Sequence, residues 1–139
     1  MKKIVMMSLV AALAACGGSS DENAADRVED QGGPLSGTWS LTVSGGCSGS
    51  MALKTPSAGT VVGTYACGSY AGAATGTGHE DGSLLLIMSD AGGSVIEFTI
   101  RGTFTSSSIS GAAYSPNVCT TQGCTPGVFQ GNAVTGTKQ

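Results

Sequence analysis

The chain predicts an all-β domain, a small antiparallel up-and-down barrel of about eight strands. Three observations point that way. Gly, Ser and Thr dominate, with 23 glycines in 139 residues. Short apolar or alternating runs recur along the sequence with Gly-rich breaks between them, the spacing of a meander, sandwich or barrel. No stretch sustains the 3.6-residue apolar period of an amphipathic helix. Closure into a barrel would remove the exposed edges that so many short strands otherwise present.

Taken in order, the strands are expected near Gly37–Val43, Ser48–Lys54, Thr60–Ala66, Ala71–His79, Ser83–Ser89, Ser94–Thr105, Ser107–Ser115 and Gly127–Thr137. A turn over Thr55-Pro56-Ser57-Ala58-Gly59 makes the second and third a hairpin. It places Cys47 opposite Cys67, with Met51 and Leu53 facing Val61, Gly63 and Tyr65. The opposite face carries Ser48, Ser50, Lys54 and Thr64, so the apolar set and the cysteines agree on one side. Of the three pairings open to Cys47, Cys67, Cys119 and Cys124, this register selects Cys47–Cys67 and Cys119–Cys124. The second bridge closes Thr120-Thr121-Gln122-Gly123 and brings Tyr114 across from Phe129. A redox or metal role fits poorly, since there is no Cys-x-x-Cys and His79 is the sole histidine.

The fifth strand, Leu84-Leu85-Leu86-Ile87-Met88, is apolar on both faces, whereas its partner Val95–Arg101 alternates, with Ile96, Phe98 and Ile100 inward. Either register leaves large aliphatics facing out. Leu84, Leu86 and Met88 are therefore a candidate partner patch.

Charge and motif exclude several classes. The net charge is −3. Beyond Pro34 the acids are Glu80, Asp81, Asp90 and Glu97 against Lys54, Arg101 and Lys138, with no basic stripe, which argues against nucleic-acid binding. His79-Glu80-Asp81-Gly82 is the one cluster of ionisable residues, and Asp-Gly after a strand reads as a solvated hairpin turn rather than an acid–base pair or metal site. Asp90 reads as a turn residue and Glu97 as a solvent-facing strand residue. No Gly-x-Ser-x-Gly elbow and no phosphate-cradling Gly motif stands at a strand-to-helix junction. No catalytic residue, metal ligand or cofactor is expected.

At the N-terminus, Lys2-Lys3 precedes an apolar run from Ile4 to Leu13, about half the length of a membrane-spanning helix. Leu13-Ala14-Ala15-Cys16 then resembles the lipobox of bacterial lipoproteins. That resemblance implies a signal peptide over residues 1–15, removed before Cys16, a diacylglyceryl thioether on the Cys16 sulfur and an acylated amine. Two or more acyl chains hold a protein durably on a membrane. Gly17-Gly18 stands where an Asp favours inner-membrane retention in that family, so the resemblance implies the outer membrane of a Gram-negative cell. Residues 16–34, with Asp21, Glu22, Asp26, Glu29 and Asp30 against Arg27, read as a disordered acidic tether spanning on the order of 25 Å. The barrel domain is placed at residues 35–139.

Gly37-Thr38-Trp39 resembles the Gly-x-Trp opening of lipocalins and avidins, where the Trp plugs one barrel end, and Gly63-Thr64-Tyr65 is similar to an avidin strand. Trp39 is the only Trp, which leaves no biotin site of the avidin kind. Gly37-Thr38-Trp39-Ser40-Leu41, Cys47, Leu84 to Met88, Asp90, Gly93 and Val95 also resemble bacterial Inh-type metalloprotease inhibitors. The expectation is a non-catalytic, membrane-anchored lipoprotein whose barrel binds a small apolar ligand or a protein partner. A periplasmic protease inhibitor and a structural envelope component are the alternatives.

Overall fold

The computed structural model describes residues 28–139. It is all-β, a closed antiparallel barrel of eight strands carrying one small separate hairpin. Seven strands follow one another around the wall: β1 (Gly37–Val43), β2 (Cys47–Ser57), β3 (Thr60–Cys67), β4 (Tyr70–Gly78), β5 (Ser83–Asp90), β6 (Ile96–Phe104) and β7 (Ser108–Tyr114). The chain then makes a two-stranded finger, β8 (Val118–Thr120) and β9 (Gly123–Thr125), before β10 (Gln130–Lys138) closes the wall between β7 and β1. Each barrel strand lies close to its expected span. The finger is the addition, where the sequence suggested only a pinched loop.

Alternation builds the core. On β1, Trp39, Leu41 and Val43 point in; across the wall so do Met51, Leu53, Val61, Tyr65, Phe98, Ile100, Ile109 and Val134. Trp39, Leu41, Leu86, Met88, Phe98, Ile100 and Phe129 have no exposed surface at all, so they border no space that water can reach and fill the interior themselves. Small residues set how closely the wall curves. Gly102 on β6 pairs directly with Gly111 on β7, and a Cβ added at Gly102 would lie 2.6 Å from the Gly111 Cα. Only a glycine pair permits that approach.

The β2–β3 hairpin departs from expectation in register. Met51 pairs with Tyr65 and Leu53 with Gly63, and Gly49 rather than Cys47 stands opposite Cys67. The strands run on to a tighter turn at Ala58-Gly59, with Gly59 at φ +79°, and a bulge between Lys54 and Ser57 takes up the difference. A shift of two residues keeps every side chain on its expected face. Cys47 and Cys67 are therefore still bridged, with their Cα atoms 5.3 Å apart. On the other side of the barrel, Tyr114 pairs with Gln130, not Phe129, and the two aromatic residues face opposite ways.

An up-and-down wall sends alternate connections to opposite ends, and the two ends are built differently. At one, which we call the strap end, the chain arrives through residues 30–36. The expected tether is bound to the barrel over its last residues: Asp30 Oδ1 accepts from the Thr55 amide at 3.0 Å and the Ser36 hydroxyl at 2.8 Å, and the Gln31 amide donates to the Thr55 carbonyl. Leu35 is buried beneath, and Trp39 Nε1 donates to its carbonyl at 2.9 Å. Lys138 lies over the Trp39 ring and donates to the Pro34 carbonyl at 3.0 Å. Trp39 thus plugs this end, as expected. At the other, the aromatic end, the Cys47–Cys67 bridge sits beside a cluster in which Phe98 meets Tyr65, Tyr70 and Phe129 with ring centroids 5.1 to 5.8 Å apart.

Candidate functional site

The aromatic end combines buried chemistry with uncovered apolar surface. Between Met88 and Ser89 the β5–β6 register shifts, because Met88 pairs with Phe98 and Ser89 with Ile96, which leaves Glu97 as the extra residue. A bulge re-aims a side chain, and here it turns the Glu97 carboxylate over the mouth to accept a hydrogen bond from the buried Tyr65 hydroxyl on β3. Glu97 is therefore half-buried and engaged, not solvent-facing. Burial raises the Tyr65 phenol above the usual tyrosine range, and the bond to Glu97 and its charge add to the shift. Tyr65 stays a neutral donor and ties two non-adjacent strands across the mouth.

Around this closed mouth lies an apolar rim. The exposed large hydrophobic residues of the described chain are Val95, Ile96, Tyr114, Val118 and Val128. All belong to the β5–β6 loop, the first residue of β6, the end of β7 or the β7–β10 connection, so all lie at the aromatic end. Ile96, expected to face inward, does not: the extra residue at Glu97 pairs it with Ser89 rather than keeping it in step with Phe98, and so turns it off the inward face and leaves it exposed.

The candidate patch on β5 is corrected. Leu84, Leu86 and Met88 are buried in the core. The reason lies on the neighbouring strand: they pair with Gly78, Gly76 and Ala74, whose inward positions carry almost no side chain and leave room for large aliphatics. The outward residues are Leu85 and Ile87. They are half-buried between Thr77 and Thr75 on β4 and Arg101 and Thr99 on β6.

The strap end holds a cleft of about 330 Å³, lined in part by Gln31, Leu35, Val61, His79 and Phe104. His79 and Glu80 stand at its edge, and His79-Glu80-Asp81-Gly82 is a solvated turn, as read from the sequence. The Gly82 amide donates to the His79 carbonyl at 2.9 Å, and Asp81 Oδ1 accepts from the Ser83 hydroxyl at 2.7 Å and amide at 2.9 Å. Those bonds hold the Asp81 carboxyl below its ordinary range. Among the described residues no group of three or more His, Cys, Asp or Glu side chains is placed to hold a metal ion. Asp90 is the turn residue expected, accepting from the Ser94 and Val95 amides at 2.8 and 3.0 Å.

Both expected disulfides are present, Cys47–Cys67 in the wall and Cys119–Cys124 across the finger. Cys16 and the signal that precedes it lie outside the described residues. Comparison of the chain with protein-family models, with curated proteins and with solved structures found no match. Sequence reasoning missed Glu97 and the rim. The signal for the rim was that Val95, Tyr114, Val118 and Val128 are isolated apolar residues in or beside turn-rich segments, which strand periodicity passes over.

Proposed function

We propose that this protein is a non-catalytic, membrane-anchored bacterial lipoprotein, held through Cys16, whose lipocalin-like barrel displays a binding face for a protein partner at its aromatic end. The observation that carries this is the placement of the exposed large hydrophobic residues, all at the end opposite the strap. A chain tethered through its N-terminus approaches the barrel at the strap end, so the aromatic end faces away from the lipid and toward whatever the protein meets. A filled interior supports a surface partner over an apolar ligand enclosed in the barrel. The solvated, self-bonded turn at His79 supports binding over catalysis.

The test is site-specific photocross-linking of the full chain in a bacterial envelope, with the reactive group at Ile96 or, as the control, at Thr60 beside the strap-end turn. A discrete adduct from Ile96 and none from Thr60 is expected. Equal labelling from both positions sinks the assignment of the face. Radiolabelled palmitate incorporated by the parent chain and lost in Cys16→Ser tests the anchor; label retained in the variant refutes it.

A further inference from the structure

The finger is an ordered element that buries nothing. Val118, Cys119, Thr120, Gly123, Cys124 and Thr125 are all exposed, and no strand of the barrel pairs with either side of it. What holds it is internal. The Cys119–Cys124 bridge crosses the ladder, Thr125 Oγ1 donates to the Val118 carbonyl at 3.2 Å, and Thr120 Oγ1 donates to the Gly123 carbonyl at 3.3 Å. A two-stranded ribbon is marginal in water without such a clamp. Its shape is therefore set in advance of any contact, which lowers the ordering cost of binding.

Its free edges define what fits. The barrel closes on itself, so among the described residues β8 and β9 are the strands that keep an open side. Cys119 and Cys124 are direct partners with Cα atoms 3.9 Å apart, the close spacing of a non-hydrogen-bonded antiparallel pair. In such a pair the amide and carbonyl of each residue point away from the other strand. Cys119 therefore presents one donor and one acceptor along one edge, and Cys124 does the same along the other. An extended backbone supplies the complementary acceptor and donor at that spacing. Pro116 and Pro126 flank the finger and confine the ladder to its short strands, so the rest of the contact must come from side chains; Val118 and Val128 stand exposed beside it.

Charge narrows the occupant. Between Arg101 and Lys138 the sequence contains no Asp, Glu, Lys, Arg or His. A charged side chain laid along this edge would lose water without meeting a counter-charge, whereas an uncharged one would not. We infer that the β8–β9 finger is a docking edge for an extended, uncharged segment of a partner polypeptide, which adds to it as a third strand. This rests on the aromatic end being the binding face and names the chemistry of what binds there.

The experiment selects random octapeptides from a display library against the detergent-solubilised full chain. Winners are then resynthesised with alternate backbone amides N-methylated. Uncharged peptides rich in β-branched residues are expected, with N-methylation in one register weakening binding by about tenfold, as the loss of main-chain bonds requires. Opening the clamp in the Cys119→Ser, Cys124→Ser double variant is expected to weaken binding to a similar degree, with the barrel's near-ultraviolet circular dichroism unchanged. A second variant, with residues 117–125 replaced by Gly-Gly, should bind none of the selected peptides. Peptides that still bind this variant overturn the inference, as do peptides indifferent to N-methylation, or a library that yields no binder. A concentration-dependent dimer in the parent chain that the excised variant lacks overturns it too, because the edge then serves a second copy. Cross-linking at Ile96 without peptide capture removes the finger's role and leaves the binding face standing.

Discussion

The two ends of this barrel are closed by different physics. At the strap end the seal is made by residues from both termini of the described chain. Leu35 and Trp39 are buried, Lys138 stacks on the indole and reaches the Pro34 carbonyl, and the Gln139 amide donates to the Thr38 carbonyl. Polar bonds from Asp30 and Ser36 finish it. At the aromatic end the seal is made by rings, a disulfide and one buried hydroxyl bonded to a carboxylate. The strap end covers its apolar residues with chain. The aromatic end covers only its interior and leaves a rim of Val95, Ile96, Tyr114, Val118 and Val128 in water. Closing a barrel and hiding its apolar surface are separate tasks. Where only the first is accomplished, the residual surface is available to a partner.

The sharpest way to probe the two seals is to remove the largest side chain from each. Phe98→Ala deletes the ring on which the other three aromatic residues of the cluster pack, and Trp39→Ala deletes the plug at the other end. Each is fully buried and should cost about 3–5 kcal/mol by chemical denaturation. The strap end has a second layer in Leu35, so the two variants should differ in local opening. Hydrogen exchange should quicken near the β5–β6 loop in Phe98→Ala, and near residues 30–36 in Trp39→Ala. Uniform quickening in both would show one cooperative unit and dissolve the distinction.

The two disulfides offer the same comparison within the aromatic end. Cys47–Cys67 joins buried residues of two wall strands across a separation of 20 in sequence, and removing it should cost about 3 kcal/mol. Cys119–Cys124 lies in a finger that touches no core, so cutting it frees the same segment in the folded and unfolded states, and the two gains in entropy offset each other. The Cys119→Ser, Cys124→Ser variant should lose less than about 1 kcal/mol. Equal losses from the two bridges, read from urea midpoints, would mean the finger is part of the barrel's cooperative fold.

Much of this was legible in the residues. Period-two alternation and Gly-rich breaks located the wall strands, and parity alone paired Cys47 with Cys67 even though the register moved by two. Parity could not orient β5, where Leu84 to Met88 is apolar on both faces. The deciding information sat one strand away, in the inward-facing Ala74, Gly76 and Gly78 that leave space for Leu84, Leu86 and Met88. The Glu97 bulge was illegible because one inserted residue changes no composition and breaks the alternation for a single step. Nor does anything in the acidic stretch before Pro34 distinguish Asp30, whose role depends on a Thr55 amide that only the fold brings near.

Tyr65 tests the aromatic seal by pH. Its folded-state pKa is raised, so the stability it contributes is fully present below the ordinary tyrosine value of about 10 and is lost as pH rises from there toward the folded value. Tyr65→Phe removes the bond to Glu97 and should cost about 1–2 kcal/mol at neutral pH. It should also flatten the alkaline limb of the stability curve above about pH 10. An unchanged limb in the variant would assign alkaline unfolding to some other group.

The smallest effect belongs to the strap. Asp30 accepts from the amides of Gly32 and Thr55 and from the Ser36 hydroxyl, and these bonds, the Gly32 amide foremost, hold its carboxyl below the usual range. The sign is opposite to that of Tyr65: a lowered pKa stabilises above the unfolded carboxylate value and is lost as pH falls through the folded one. The carboxylate is fully open to solvent, so the barrel's midpoint should scarcely move in Asp30→Asn. What should change is local: faster amide exchange at Gly32 and Thr55, and easier proteolytic cleavage around residues 28–33, at neutral pH in the variant and at acid pH in the parent chain. If neither site responds, Leu35 and Lys138 alone hold the strap, and the strap end, like the aromatic end, is closed from within.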